Sequence, residues 1–597
     1  MFDIDISIVI IMKTYELIRV VEYSQFFSDR DSIDIVEVLK RYNRIDLIKT
    51  AAILSLRFGN WKYPDSQDVF FSSQSSKYIP EFQGYLNSYL KKIEFGRGQQ
   101  IVFSTYRTGL ELWRLIFSIR PEEFTSTLCE EDYEYTLFKV ILVLNEKVMN
   151  YNYSFSKTED DGNALLFLNN FITNDCNNID YKSILSSQIF YFSQLMDFIP
   201  QSDVLVKASN KLLLKWGIPS WKHYFVTLYI LAHDTNEYFK TGQKGLPVID
   251  TIALSRRDEV GFFSQSLVES LSIDVNEYIP YNQGKDNSND RENVDYRIFR
   301  AKPFVRLGEH KYVVINNQLL CERLFNSLYF DFNPLINGKS GSVGKFDYNR
   351  DFVEKYLFKN TMLKCFDRKV YTYPSSEDNT LIEEPNEPDF YARKCSKIFL
   401  FECKAIKLNG DIRDKGDFDN MLLNLYEKLV ISSQYLNTNK KKGKLKPIGI
   451  GQLVKHIDAI EEDNFKWDKN IPNSVCYYPI LVLEDIRLLQ PGFINVLNTW
   501  LPNVVGLFDK LELSDIACMP ILAVSINTLY LHSDMIKQRG LDHLIAEFLK
   551  ENSKQKTDGS YKLDEFADFD AFLNHFSYNK EKEMKMFIDE ILQSDKY

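Results

Sequence analysis

Three charged residues stand where two adjacent strands are expected to meet at one end. Asp389 precedes a short strand pattern, and Glu402 and Lys404 close the next one, with a tight turn expected at Cys395 and Ser396. A turn centred there pairs the two strands so that Asp389 lies opposite Glu402. Because side chains alternate along a strand, Glu402 and Lys404 share one face. Two carboxylates and one ammonium group would then converge, a grouping suited to binding a divalent metal ion and positioning a water molecule.

The sequence around this group resembles that of the PD-(D/E)xK nuclease superfamily. The resemblance is carried by Pro388-Asp389 and by Glu402-Cys403-Lys404, which ends an apolar strand pattern. It implies an α/β restriction-endonuclease-like core, with a central mixed β-sheet flanked by helices, over about residues 340–530. The alternative is a surface hairpin whose charged side chains are simply solvated.

The resemblance also implies a role for each residue of the group. Asp389 and Glu402 would ligate a metal ion together with the backbone carbonyl of Cys403, and Lys404 would orient the attacking water or help to deprotonate it. Because these ligands are hard oxygen atoms, we expect Mg²⁺ or Mn²⁺ rather than Zn²⁺ as the cofactor. The expected reaction is hydrolysis of a phosphodiester bond by direct attack of water.

Two further residues match superfamily positions on helices beside the sheet. Glu354 lies in an amphipathic helix predicted over 349–358, where superfamily members often carry a glutamate that reaches the metal; a solvated glutamate is the alternative. A strand is expected next, over 369–373.

Gln452 begins a later helix, where many members carry a glutamine followed four residues on by a tyrosine. His456 occupies that second position, so its role stays open, although both side chains share one helical face.

Length and composition indicate a large globular chain. The 597 residues suggest two to four domains, and the apolar content of 45% is a globular value. The net charge of −11 argues against a protein that coats nucleic acid non-specifically, but it leaves room for a local basic channel. The lysine-rich segment 439–446 is a candidate contact for a phosphate backbone, or else a solvated loop tip.

Cysteine usage and hydropathy indicate the compartment. The eight cysteines are scattered, and none forms a Cys-x-x-Cys pair or a cysteine–histidine cluster with zinc spacing. No apolar run reaches transmembrane length, and the apolar N-terminus lacks the basic flank and cleavage site of a signal peptide. We therefore expect a cytoplasmic protein that does not enter a membrane.

Patterning along the chain predicts three regions. Residues 1–295 show mostly helical periodicity and no catalytic constellation, so we expect a regulatory or recognition region. This region is also the candidate surface for a partner protein or for self-association. The polar segment 283–293 is the expected linker. Residues 296–535 would form the nuclease-like domain, and residues 536–597 would form C-terminal helices.

The expected function is that of a metal-dependent endonuclease that acts on nucleic acid, DNA rather than RNA. By fold-level analogy, such an enzyme suits bacterial phage defence or the control of mobile elements. Two alternatives stay open: an inactive nuclease fold that only binds nucleic acid, and a helical sensor or interaction protein. Mg²⁺-dependent cleavage distinguishes the enzyme from the binding module, and absence of a mixed sheet around Glu402 would favour the sensor.

Overall fold

The predicted hairpin is present in the computed structural model and belongs to a mixed β-sheet. Strands Phe390–Lys394 and Lys397–Lys404 pair antiparallel across a two-residue turn that begins at Cys395. Cys395 takes the left-handed conformation in that turn, with φ of 55°. The register is the predicted one, so Glu402 lies across from Asp389, which directly precedes the first strand.

The structure describes most of the chain, in separate stretches. These are residues 17–27, 33–57, 76–93, 99–125, 133–148, 167–168, 181–240, 248–258, 260–280, 296–337, 346–373, 388–406, 418–432, 446–505, 516–557, 560–576 and 580–593. The predicted linker over 283–293 lies outside them, as does all of the lysine-rich segment except Lys446.

The chain divides into two compact units, at a place other than the boundary predicted near residue 295. Unit 1 consists of residues 1–150 and 278–280, and unit 2 consists of residues 151–277 and 281–597. The helices between residues 181 and 270 belong to unit 2 because their apolar faces pack on later helices. For example, the ring of Trp221 stacks on that of Phe332, and the hydroxyl of Tyr224 donates to the carbonyl of Arg323.

Unit 1 is mostly helical, as predicted for this part of the chain. Its helices are α1 (Tyr23–Phe26), α2 (Ile35–Lys40), α3 (Arg44–Arg57), α4 (Ile79–Lys92), α5 (Tyr106–Ser118) and α6 (Tyr133–Val148). Strands β1 (Leu17–Val20) and β2 (Gln99–Val102) pair parallel. The buried amide of Asn145 donates to the carbonyls of Val21 and Phe103 and so links the helices to the strands.

The helices of unit 2 flank its sheets. They are α7 (Tyr181–Phe198), α8 (Asp203–Trp216), α9 (Trp221–Lys240), α10 (Thr251–Arg257), α11 (Gln265–Ser270), α12 (Arg297–Ala301), α13 (Asn317–Glu322), α14 (Leu328–Asn337), α15 (Lys359–Cys365), α16 (Phe418–Leu429), α17 (Ile450–Glu461), α18 (Phe493–Val505), α19 (Ile526–Leu531), α20 (Ser533–Arg539), α21 (Leu541–Asn552), α22 (Phe569–His575) and α23 (Lys580–Gln593). A π-helix spans Tyr348–Phe358. Short 3₁₀ turns lie at Ser76–Tyr78 and Pro121–Glu123 in unit 1, and at Ile199–Gln201 and Ile486–Leu488 in unit 2. None of the described helices has the length and apolar character needed to cross a bilayer.

The described strands of unit 2 form three sheets. They are β3 (Ile249–Asp250), β4 (Ser272–Asp274), β5 (Phe304–Gly308), β6 (Lys311–Val314), β7 (Phe390–Lys394), β8 (Lys397–Lys404), β9 (Cys476–Leu483), β10 (Ala517–Cys518), β11 (Leu522–Ser525), β12 (Ser553–Gln555) and β13 (Tyr561–Leu563). The order of one sheet is β3-β6-β5-β4, and β12 pairs with β13. The sheet that carries the hairpin has the order β7-β8-β9, with β10 and β11 both paired to β9. Its pairs are parallel except for β7 with β8.

Both faces of this mixed sheet are covered. The apolar run Ile398–Phe401 of β8 is fully buried, as expected for a strand with a layer on each side. Helix α17 packs on the face that presents Glu402. The ring of Phe366 packs on Phe399 and Phe401 on the opposite face. The fold of unit 2 is therefore mixed α/β with helices on both sides of the sheet.

Several elements around the hairpin differ from the predicted ones. The helix predicted as α over 349–358 is a π-helix, and its buried residues repeat every four to five positions, at Phe352 and Val353 and again at Leu357 and Phe358. The strand predicted over 369–373 is a turn with a single bridge between Thr372 and Arg393. The C-terminal helices are interrupted by the β12–β13 hairpin.

Candidate active site

The charged residues of the hairpin lie at one edge of the mixed sheet. Strands β8, β9 and β11 are parallel, so their carboxyl ends meet at this edge, and antiparallel β7 begins there. The carboxyl edge of parallel strands is the usual place for ligands in open α/β sheets, because loops and helix ends converge on it. Asp389, Glu402 and Lys404 are brought together here, as the sequence predicted.

Asp389 is held in place by the backbone of the neighbouring strand. Its Oδ2 accepts the amide N–H of Cys403 at 2.8 Å and lies 3.4 Å from Nζ of Lys404. Burial and the nearby Glu402 carboxylate raise the pKa of Asp389 to about 7. Near neutral pH, this carboxyl group is therefore partly protonated.

Glu402 is fully buried, and each of its carboxylate oxygens has its own partner. Oε2 lies 3.0 Å from Nζ of Lys404, and Oε1 lies 3.2 Å from Nε2 of His456. Burial raises the pKa of Glu402, and the Lys404 ammonium opposes this rise. Both oxygens are thus satisfied by side chains from two different elements, β8 and α17.

Lys404 is a cation that contacts both carboxylates, those of Asp389 and Glu402. Burial by itself would lower its pKa, but the carboxylates of Glu402, Asp389 and Glu354 more than offset this effect, so the pKa lies well above its ordinary value. Lys404 therefore stays an ammonium group at neutral pH. It can donate hydrogen bonds and stabilise negative charge, but it does not accept a proton.

Glu354 joins the group electrostatically. Burial raises its pKa to about 7, with the charges of Lys404 and Asp389 acting in opposite directions. The π-helix that carries Glu354 begins at Tyr348, and near its start the Asn349 amide donates to the carbonyl of Ala405, just beyond β8, at 3.3 Å. Nothing in the sequence around Asn349 indicates this hydrogen bond, so sequence reasoning missed it.

The backbone of Cys403 also faces the group. The N–H and C=O of one strand residue point to the same side of the strand, so the carbonyl of Cys403 lies on the side where its N–H meets Asp389. The thiol of Cys403 is buried, and burial raises its pKa well above the ordinary value. The carbonyl, but not the thiol, is therefore a candidate ligand.

Helix α17 contributes His456 rather than Gln452. Oε1 of Gln452 accepts the amide N–H of Gly449 at 3.0 Å, and this bond commits the oxygen to the start of the helix. No hydrogen bond among the described residues connects Gln452 to the carboxylates. His456, one turn further along the same face, reaches Glu402, and burial lowers its pKa to about 4. In the sequence, its position four residues after Gln452 indicated that both side chains lie on one face of the helix.

The group offers carboxylate and carbonyl oxygen atoms, the donor atoms that Mg²⁺ and Mn²⁺ prefer. Within the described ranges, no group of three or more His, Cys, Asp and Glu side chains is arranged as a formed metal site. The Lys404 ammonium lies between the Asp389 and Glu402 carboxylates instead. The carboxylate of Glu402 is fully buried, and those of Asp389 and Glu354 are partly buried near the same Lys404 ammonium. Because buried negative charge is costly without compensation, an added cation with a preference for oxygen ligands would be stabilised here.

Comparisons with protein-family models, with curated proteins and with solved structures each gave no match.

Proposed function

We propose that this chain is a metal-dependent nuclease that hydrolyses phosphodiester bonds of nucleic acid. The observation that supports it best is the convergence of Asp389, Glu402 and Lys404 at the carboxyl edge of a mixed sheet, with Nζ of Lys404 within 3.4 Å of both carboxylates. Such an arrangement offers oxygen ligands to a cation and a fixed ammonium group beside them. Both are needed when water attacks a phosphate diester, because negative charge builds up on the phosphoryl oxygens.

The residues that would hold Mg²⁺ or Mn²⁺ are Asp389, Glu402 and the carbonyl of Cys403, and Glu354 on the adjacent π-helix would act through the metal's water shell. When bound, the cation would polarise the phosphate and lower the pKa of a bound water molecule. Lys404 would then share with the cation its role as counter-charge of the carboxylates. Its ammonium group would orient the attacking water and donate a hydrogen bond to a phosphoryl oxygen.

The proton of the attacking water needs an acceptor, and Lys404 is unsuited to this role. A general base works best when its pKa lies near the working pH, because it is then both available and sufficiently basic. Glu354 meets this condition with a pKa of about 7. Among the described residues it makes no hydrogen bond to Lys404, so its carboxylate would be available to a water molecule of the metal's shell, from which it would accept the proton.

The test uses purified full-length protein with double-stranded DNA, single-stranded DNA and RNA. Each substrate is incubated with Mg²⁺, Mn²⁺, Ca²⁺ or EDTA, for the wild type and for Asp389→Asn, Glu402→Gln and Lys404→Met. We expect cleavage with Mg²⁺ or Mn²⁺, DNA being cut in preference to RNA, and loss of cleavage in all three variants. Exposed Lys369 supplies the matched control Lys369→Met, which should cut like the wild type.

Two results would overturn the proposal in different ways. Equal cleavage by the wild type and the three variants would show that the activity resides elsewhere. Tight binding of nucleic acid without cleavage under any metal condition would indicate the inactive binding module instead. If the protein showed no tight binding and no cleavage of nucleic acid, both nucleic-acid functions would be excluded.

A further inference from the structure

Helix α17 carries a buried histidine that touches the candidate site without lining it. Only 3% of His456 is exposed, and its Nε2 lies 3.2 Å from Oε1 of Glu402. The neighbouring residues Val454 and Ile457 are buried as well. An imidazole in such apolar surroundings needs a polar partner, and Glu402 supplies it.

The start of α17 is built so that the helix lies close to the chain that precedes it. A Cβ atom on Gly451 would come 2.4 Å from the carbonyl oxygen of Val430, and one on Gly449 would come 2.7 Å from that of Leu429. Gly449 also adopts a positive φ of 51°. Two glycines therefore permit an approach that other residues would prevent. The helix is fixed at its start, and His456 lies less than two turns further on.

The direction of the hydrogen bond follows from the partners of Glu402. Its Oε2 faces the Lys404 ammonium at 3.0 Å, which favours the ionised carboxylate. An ionised carboxylate only accepts hydrogen bonds, so Nε2 of His456 must donate. The imidazole thus holds Oε1, while Oε2 faces the Lys404 ammonium. Rotation of the carboxylate would break one bond or the other.

We propose that His456 is a positioning residue for the metal site: its Nε2–H fixes the Glu402 carboxylate so that Oε2 is presented to the cation. This inference rests on the proposed function, because it assigns Glu402 as a ligand. Hydrogen-bond partners of metal ligands orient them, and loss of such a partner typically weakens metal binding or activity about 10- to 100-fold. We expect an effect of this size.

The experiment compares His456→Leu, which removes the donor, with His456→Gln, whose Nε2 places an amide donor at a similar distance. Mn²⁺ binding is measured by titration calorimetry on the full chain, at a temperature where circular dichroism shows each variant to be folded. Cleavage of DNA is then measured as a function of Mn²⁺ concentration. We expect metal binding about 10- to 100-fold weaker in the leucine variant, and recovery of most of this loss in the glutamine variant.

A second buried histidine provides a matched control. His532 is fully buried in unit 2, and its Nε2 lies 3.4 Å from Oδ1 of Asn574 on α22. His532→Leu should lower the melting temperature but leave the Mn²⁺ affinity of the folded protein unchanged. If His456→Leu does not fold, His456→Asn takes its place, because its amide is one bond shorter than that of glutamine.

The outcomes separate this inference from the proposed function. Wild-type protein that binds no Mn²⁺ and cuts no nucleic acid would remove the proposed function, and the positioning role with it. Wild-type protein that binds Mn²⁺, together with a folded His456→Leu or His456→Asn variant of unchanged Mn²⁺ affinity, would overturn the positioning role alone. Equal losses in the His456→Leu and His532→Leu variants would reduce His456 to a structural residue.

Discussion

Oδ2 of Asp389 accepts the backbone amide of Cys403 at 2.8 Å, so the residue before one strand is bonded to the end of the next. Asp389 lies outside the ladder of β7, yet its side chain continues the register of the hairpin. The amide that it accepts lies between Glu402 and Lys404 in the chain. The backbone therefore determines the distance between the three charged side chains before any ligand arrives.

Metal binding should strengthen with rising pH. The pKa values of Asp389 and Glu354 are raised to about 7, so each carboxyl group that becomes a ligand must first lose its proton near neutrality. Between pH 8 and pH 6, the Mg²⁺ affinity should fall about tenfold for each such group. Calorimetry in two buffers of different ionisation enthalpy would measure both the affinity and the protons released. An affinity that is the same at pH 6 and pH 8 would contradict the prediction.

Glu354→Gln should stabilise the metal-free protein at high pH. A folded-state pKa of about 7, above the ordinary value of 4.5, means that the ionised carboxylate is disfavoured in the folded protein. The penalty is absent below about pH 4.5, grows up to pH 7 and is complete above it, on the order of 2 kcal/mol for this partly buried group. Urea unfolding at pH 8 and pH 4.5 in EDTA would measure it.

The control for this change is a glutamate in solvent. The side chain of Glu309 is 90% exposed in a β-hairpin turn of unit 2 and lies 3.4 Å from Nε2 of His310. Because so exposed a pair contributes little, Glu309→Gln should change the unfolding midpoint only slightly at both pH values. An unchanged midpoint for Glu354→Gln at pH 8 would show that its carboxylate carries no such penalty.

Lys404→Met should impair both activity and the metal-free fold. The ammonium lies 3.0 Å from the fully buried Glu402 and 3.4 Å from the partly buried Asp389, and its loss removes their shared counter-charge. Cleavage should fall at least about 100-fold, because the fixed donor to the reacting phosphate is lost. The melting temperature should fall more at pH 8 than at pH 5, where the carboxyl groups can take up protons. Added Mn²⁺ should raise it more in the variant than in the wild type.

Gly451→Ala should destabilise the protein and disturb the site at a distance. The new methyl group would come 2.4 Å from the carbonyl oxygen of Val430, a backbone atom that cannot simply rotate away. Overpacking of this kind costs roughly 1–3 kcal/mol and would shift α17, on which His456 lies. Gly84→Ala is the matched change, because its Cβ meets no atom within 4 Å in an exposed turn of α4. It should be neutral or slightly stabilising, as measured by thermal unfolding.

Local pattern was sufficient to predict the elements that carry the site. An apolar run with charged ends predicted β8, a turn at Cys395 set the register with β7, and the periodicity after Gly449 predicted α17. These features depend on contacts between residues near one another in the chain. The π-helix around Glu354 was missed because the segment is short. Over two turns, buried residues that repeat every four to five positions look much like the α-helical repeat of about 3.6.

The sequence by itself determined that Asp389, Glu402 and Lys404 would meet, because a short hairpin leaves their spacing little freedom. Tertiary structure alone decided which residues surround them. It directed Gln452 to the start of its own helix, brought His456 to Glu402 and brought the partly buried Glu354 near Lys404. It also raised the carboxyl pKa values, since desolvation depends on the whole packed environment. Such long-range effects arise from the packing of helices on the sheet, which no local pattern encodes.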